Sequence, residues 1–139
     1  MRSCTHAGRA APRRGSRSGR SSNDVATEAI AVAVCDDRSY FERRIHRIID
    51  ETRALIPTPL EPAPLRILDE FKGPAYAVPT AQQLAFIGQV ARVSGVILDP
   101  VYTGKALFGL AHLQPKPPRA LFVHTGGLPG LLAEADRFS

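Results

Sequence analysis

Two short segments of this 139-residue chain combine hydroxyls with glycines in a way that could serve chemistry. They are Asp99-Pro100-Val101-Tyr102-Thr103-Gly104-Lys105 and His124-Thr125-Gly126-Gly127. Glycine lets a main chain approach a flat or phosphorylated ligand closely, and a threonine hydroxyl can donate or accept a hydrogen bond there. Read alone, the glycine pair is better explained as a plain turn between a strand and a helix. Other reactive side chains carry less. His46 falls among the polar positions of a helical pattern, and Cys4 and Cys35 match neither a zinc-ligand spacing nor a disulfide framework, which suits a reducing cytoplasm.

The elements that would position these segments follow from hydrophobic periodicity. Ala29 to Cys35 is a continuous apolar run with β-branched residues, the pattern of a buried parallel strand. Asp36 and Asp37 are N-cap candidates for a helix with Phe41, Ile45, Ile48, Ile49 and Leu55 inward; Arg43, Arg44 and Arg47 share its solvated face with Glu42, Asp50 and Glu51. Pro57, Pro59, Pro62 and Pro64 end that helix and make an extended connector. Leu65 to Phe71 reads as a short edge strand, and residues 72–79 as an ordered, exposed loop.

Thr80 caps the next expected helix, which runs through Leu84, Ile87, Val90 and Ala91 to a left-handed Gly95. Val96 to Leu98 is a brief apolar stretch, and Thr103 to Leu113 a further helix with Leu107, Leu110 and Ala111 inward. Leu121 to Val123 reads as a buried strand leading into His124–Gly127, with a short helix around Pro129 to Ala133. Strands alternating with helices imply a three-layer α/β arrangement, a mainly parallel sheet flanked by helices. In such sheets ligands bind beyond the carboxyl ends of strands, which points His124–Gly127 toward a site.

Composition bounds the remaining possibilities. A hydrophobic content of 44% in this length suits one globular domain. The net charge of +5 sits in the first 23 residues, where Arg2, Arg9, Arg13, Arg14, Arg17 and Arg20 occur without an acid. Residues 1–28 have few large apolar side chains and read as a disordered Arg- and Ser-rich tail, leaving 29–139 as the folded unit. The tail offers no aromatic to stack on bases, so a solvated extension is preferred to a nucleic-acid arm. The longest apolar run is strand-sized, which disfavours a membrane span, and no apolar region follows the charges as a secretory signal requires.

Taken in order, the segments resemble the D-cysteine desulfhydrase and 1-aminocyclopropane-1-carboxylate deaminase group of the tryptophan-synthase-β-like pyridoxal-phosphate enzymes. The resemblance is carried by Val34-Cys35-Asp36-Asp37 with Tyr40-Phe41-Glu42, by Gly73-Pro74 with Tyr76 and Val78-Pro79, by Asp99 to Ala106, and by Leu121 to Gly127. It covers about four-fifths of the chain, and the last two segments are specific in combination.

The resemblance implies the C-terminal part of a fold-type-II pyridoxal-phosphate enzyme. It implies that Tyr76 and Tyr102 line the pocket as catalytic tyrosines, able to polarise or protonate the substrate. It further implies that Thr125 approaches the cofactor's pyridine nitrogen, that Gly126 and Gly127 leave room for its ring, and that Thr103 contributes to cofactor binding. Lys105 resembles a family position other than the Schiff-base lysine. The cyclopropane-opening deaminases typically carry an acid where Thr103 stands and a leucine where Thr125 stands. Two threonines therefore point to the desulfhydrase branch, whose reaction is α,β-elimination of D-cysteine or a relative to pyruvate, sulfide and ammonia.

The lysine-bearing helix and the glycine- and serine-rich phosphate loop of that family have no recognisable counterpart, although Thr5-His6-Ala7-Gly8 resembles the end of that loop. The expectation is thus a truncated, cytoplasmic family member, inactive alone, that exposes apolar surface and forms a homo-oligomer or complements a separate N-terminal half. The alternatives are a non-catalytic binding module with an active partner chain and, last, a basic nucleic-acid-binding protein.

Overall fold

The computed structural model describes residues 28–57, 62–133 and 135–138, together with residues 5–10; for 5–10, 137 and 138 only the backbone is described. Among the described residues four strands form one sheet: β1 (Thr5–Ala10), β2 (Ala29–Ala33), β3 (Leu65–Leu68) and β4 (Ala120–Leu121), in the order β3-β2-β1-β4. The helices are α1 (Arg38–Leu55), α2 (Ala81–Ser94), α3 (Thr103–His112) and α4 (Leu128–Leu132), followed by a 3-10 turn at Ala135–Phe138.

The apolar run begins as the expected strand and leaves the sheet at Val34. β2 is buried from Ile30 onward and pairs in parallel with β3, Ala31 opposite Ile67, so that α1 connects two parallel neighbours. Successive β2 side chains face opposite sides of the sheet. Ala31 and Ala33 join Val34, Phe41 and Ile67 in one cluster, while Ile30 and Val32 join Leu68, Ala106 and Leu113 in another.

The sheet is mixed where a mainly parallel one was expected, because β1 is antiparallel to both β2 and β4. Thr5–Ala10, expected within the disordered tail, thus occupies an interior position in the sheet. Backbone pairing needs no large side chains: β1 supplies partners to the amides and carbonyls that β2 and β4 would otherwise present unpaired. The segment resembling the end of a phosphate loop accordingly forms a strand. Apart from Glu28, the rest of the expected tail, with Cys4 and the five arginines other than Arg9, lies outside the described residues.

Three inward-facing expectations also change. At 18 residues α1 is about 27 Å long, against about 17 Å for the five-residue β2. The helix outruns its sheet, leaving Phe41 buried and Leu55 83% exposed, with Ile48 also in solvent. In α3 the buried side is Thr103, Gly104, Lys105, Ala106 and Gly109, whereas Leu107 and Leu110 are half-buried and Ala111 is exposed. Small residues are needed there because a Cβ on Gly109 would lie 3.0 Å from Phe71 and 3.3 Å from Val32. β4 is a short edge strand: Phe122 packs on the core, and Leu121 and Val123 point outward, 59% and 43% exposed.

Local signals held where the capping chemistry is local. Asp37 caps α1 by accepting from the Tyr40 amide at 2.8 Å, and this bond, aided by the Ser39 hydroxyl, lowers the Asp37 pKa. Thr80 and Gln83 form a reciprocal capping box at α2, which ends on left-handed Gly95 at φ 72°. No helix among the described residues is long and apolar enough to cross a membrane.

Candidate active site

Asp99 organises the site. It is 1% exposed, and its carboxylate turns the chain into α3 by accepting four hydrogen bonds. Oδ2 accepts from the amides of Val101 and Tyr102 at 2.8 and 2.7 Å, and Oδ1 from the amide and hydroxyl of Thr103 at 2.8 and 2.5 Å. The Asp99 amide donates back to the Thr103 hydroxyl at 2.9 Å. A buried carboxylate needs such dense compensation, and here it satisfies amide donors at the start of α3 that helix geometry leaves unpaired.

This arrangement fixes Tyr102 at the edge of the loop. Its phenol lies 2.5 Å from that of Tyr76, and the two rings meet edge to face. Tyr76 reaches it from the 72–79 loop, which doubles back through the Val78 amide donating to the Ala75 carbonyl at 3.2 Å. Gly73 takes φ 77° there, and a Cβ would stand 2.7 Å from the Val78 carbonyl oxygen. Gln83, 2% exposed, holds the loop's approach through Nε2 donating to the Phe71 carbonyl at 2.8 Å.

The second segment docks onto the first. His124 Nε2 lies 2.8 Å from the Ile97 carbonyl, which can only accept, and Nδ1 lies 3.1 Å from the Gly126 amide, which can only donate. Those roles select the neutral imidazole protonated on Nε2. His124 is a latch for its own turn, presenting Thr125 at an exposed position.

The two glycines differ. Gly126 (φ 92°) has open space where a side chain would be. Gly127 (φ 109°) faces inward, where a Cβ would fall 2.7 Å from that of Asp99. We therefore expect Gly127→Ala to lower the unfolding free energy by about 2 kcal/mol or more, and Gly126→Ala by about 1 kcal/mol through its backbone alone. Urea unfolding of the two variants checks the order, and equal losses would contradict the docking.

The structure brings Tyr76 and Tyr102 together, and through Asp99 it joins their loop to the turn carrying Thr125, Gly126 and Gly127. Thr103 is different. It is completely buried, and its hydroxyl is used within the Asp99 loop as donor and acceptor, so it shapes the loop that carries Tyr102. Sequence reasoning quoted Asp99 and Lys105 without assigning either a task. Asp99 was findable from an aspartate four residues before a threonine at a helix start. Lys105 was not, because nothing local signals a lysine with 0% exposure.

Elsewhere, an apolar groove of about 410 Å³ lies along α2 and α4, lined by Ile87, Leu98, Leu131 and Leu132 among others. It contains none of the candidate residues, and its lining lacks convergent polar groups. Among the described residues no His, Cys, Asp and Glu side chains gather into a metal-binding group.

No family model matches the chain. It is 37% identical over 115 residues to a bifunctional D-cysteine desulfhydrase/1-aminocyclopropane-1-carboxylate deaminase, mitochondrial, of Arabidopsis thaliana, covering 78% of this chain and 28% of that protein. It is 38% identical over 112 residues to a D-cysteine desulfhydrase of Yersinia enterocolitica, covering 77% and 34%. A putative 1-aminocyclopropane-1-carboxylate deaminase of Thermotoga maritima is 40% identical over 72 residues, covering 51% and 23%. The aligned stretches thus span between about a quarter and a third of these relatives' own length.

Proposed function

We propose, from a chain that belongs to the D-cysteine desulfhydrase/1-aminocyclopropane-1-carboxylate deaminase family, that residues 29–139 are the C-terminal part of a three-layer, fold-type-II pyridoxal-phosphate enzyme acting on D-cysteine or a relative. The observation that carries this reading is the Tyr76–Tyr102 phenol pair, 2.5 Å apart on the Asp99 loop that the Thr125 turn docks against.

The residues fit one side of the cofactor. Gly126 leaves open space for a flat ring, and Thr125 beside it offers a neutral hydroxyl to the pyridine nitrogen. Bound pyridoxal phosphate supplies the electron sink for the α-carbon of an amino acid. The phenol pair does the chain's own part: one hydroxyl donates to its neighbour, and the outer one gives its proton to the departing sulfur. Elimination breaks Cα–H, its proton going to a base that the lysine-bearing part of the enzyme would supply, and Cβ–S, whose sulfur takes the phenol proton; with one water consumed it yields pyruvate, sulfide and ammonia.

The residues do not fit the cofactor's anchorage. Of three lysines, Lys105 is buried with its amine on main-chain carbonyls, Lys72 lies 3.5 Å from the Asp36 carbonyl oxygen, and Lys116 is exposed in the loop after α3. A second chain, or further sequence like that of the longer relatives, would supply the anchoring lysine. The exposed Leu121, Val123, Leu128 and Leu132 suit burial against such a part.

Borohydride reduction of the chain mixed with pyridoxal phosphate, peptide mapping of labelled lysines and assay of sulfide release from D-cysteine test this. Expected are no label on Lys105 and no sulfide above that produced by free cofactor. Sustained turnover with one stoichiometrically labelled lysine would overturn the missing-anchor reading.

A further inference from the structure

Lys105 is a charged side chain with no exposed surface, yet its partners are two main-chain carbonyls. Nζ donates to the carbonyl oxygens of Lys72 at 2.5 Å and Ala75 at 3.4 Å, 33 and 30 residues away in sequence. Both belong to the 72–79 loop that carries Tyr76. Gly73 lies between them, and the position of its Cβ would be in ordinary contact with Nζ at 3.5 Å, so the amine packs directly against this turn. Burial lowers the Lys105 pKa, while Cys35 and Asp99 nearby favour its charged form.

The geometry shows two supports for this loop. Gln83 grips its start at Phe71, and Lys105 grips its middle from the first turn of α3, three residues beyond Tyr102. We infer that Lys105 is a positioning residue, a strut that ties the Tyr76 loop to the helix carrying Tyr102 and sets the two phenols in hydrogen-bonding contact. The inference deepens the proposed function, yet its test concerns the tyrosines alone and needs no cofactor or turnover.

The chain has three tyrosines, Tyr40, Tyr76 and Tyr102, which single Tyr→Phe variants assign in an NMR spectrum of labelled rings. In the unmodified chain a ring-to-ring Overhauser effect links Tyr76 and Tyr102. In Lys105→Met, of similar length and apolar, it falls at least threefold while the amide spectrum stays dispersed. Lys72→Met, which removes a neighbouring charge and leaves the Lys72 carbonyl in place, keeps it. An undiminished effect in folded Lys105→Met overturns the inference. If that variant does not fold, the unmodified chain decides: a Lys105 Nζ resonance exchanging with water at least tenfold more slowly than that of Lys116 supports the strut, and equal exchange overturns it.

Discussion

Replacing Asp99 with alanine lowers the unfolding free energy by about 3 kcal/mol or more, because it strands several buried donors at once. The amides of Val101, Tyr102 and Thr103 and the Thr103 hydroxyl all end on this carboxylate. At 1% exposure the site admits little water to replace it. Asparagine keeps the shape and one carboxyl-like oxygen but points a donor at donors, so it falls between, at about 1–2 kcal/mol. Urea unfolding of the three proteins reads the series directly. An alanine variant as stable as the original would remove the foundation assigned to Tyr102 and to the turn at Gly127.

The second large effect is a pH dependence specific to Lys105. Burial depresses its folded pKa, so between that value and the ordinary lysine value near 10.4 the unfolded chain holds more protons than the folded one. Stability from this group therefore rises with pH across that window and is flat below it, the opposite of a lysine held in a surface ion pair. Chemical unfolding of the chain and of Lys105→Met from pH 7 to 10.5 should show the original gaining on the variant as pH increases. Parallel curves would mean that the amine is solvated.

How much of this could be read from sequence divides by distance along the chain. Helix α2 was legible from end to end because Thr80 and Gly95 act within a turn of the residues they cap. The parallel pair β2–β3 followed from an apolar run, a helical period and a second short strand. The pairing of Thr5–Ala10 with both β2 and β4 was not legible, since it joins segments about 20 and 110 residues apart through backbone groups that every residue carries. Leu121 and Val123 look like core in a list of apolar residues; alternation around Phe122 turns them outward.

The site shows the same division. Tyr76 and Tyr102 were singled out through their motifs, and the fold joins them across 26 residues. Thr103, fully buried, completes the Asp99 loop with its hydroxyl.

The most direct measurement is a chimera in which residues 29–139 replace the matching segment of the Yersinia enterocolitica D-cysteine desulfhydrase, with sulfide release from D-cysteine as the readout. The folded, cofactor-loaded chimera should release sulfide, do so in preference to deaminating 1-aminocyclopropane-1-carboxylate, and lose about 100-fold in rate with Tyr76→Phe or Tyr102→Phe. A chimera that is folded and loaded but releases no sulfide, or whose rate is indifferent to both tyrosines, would contradict the account.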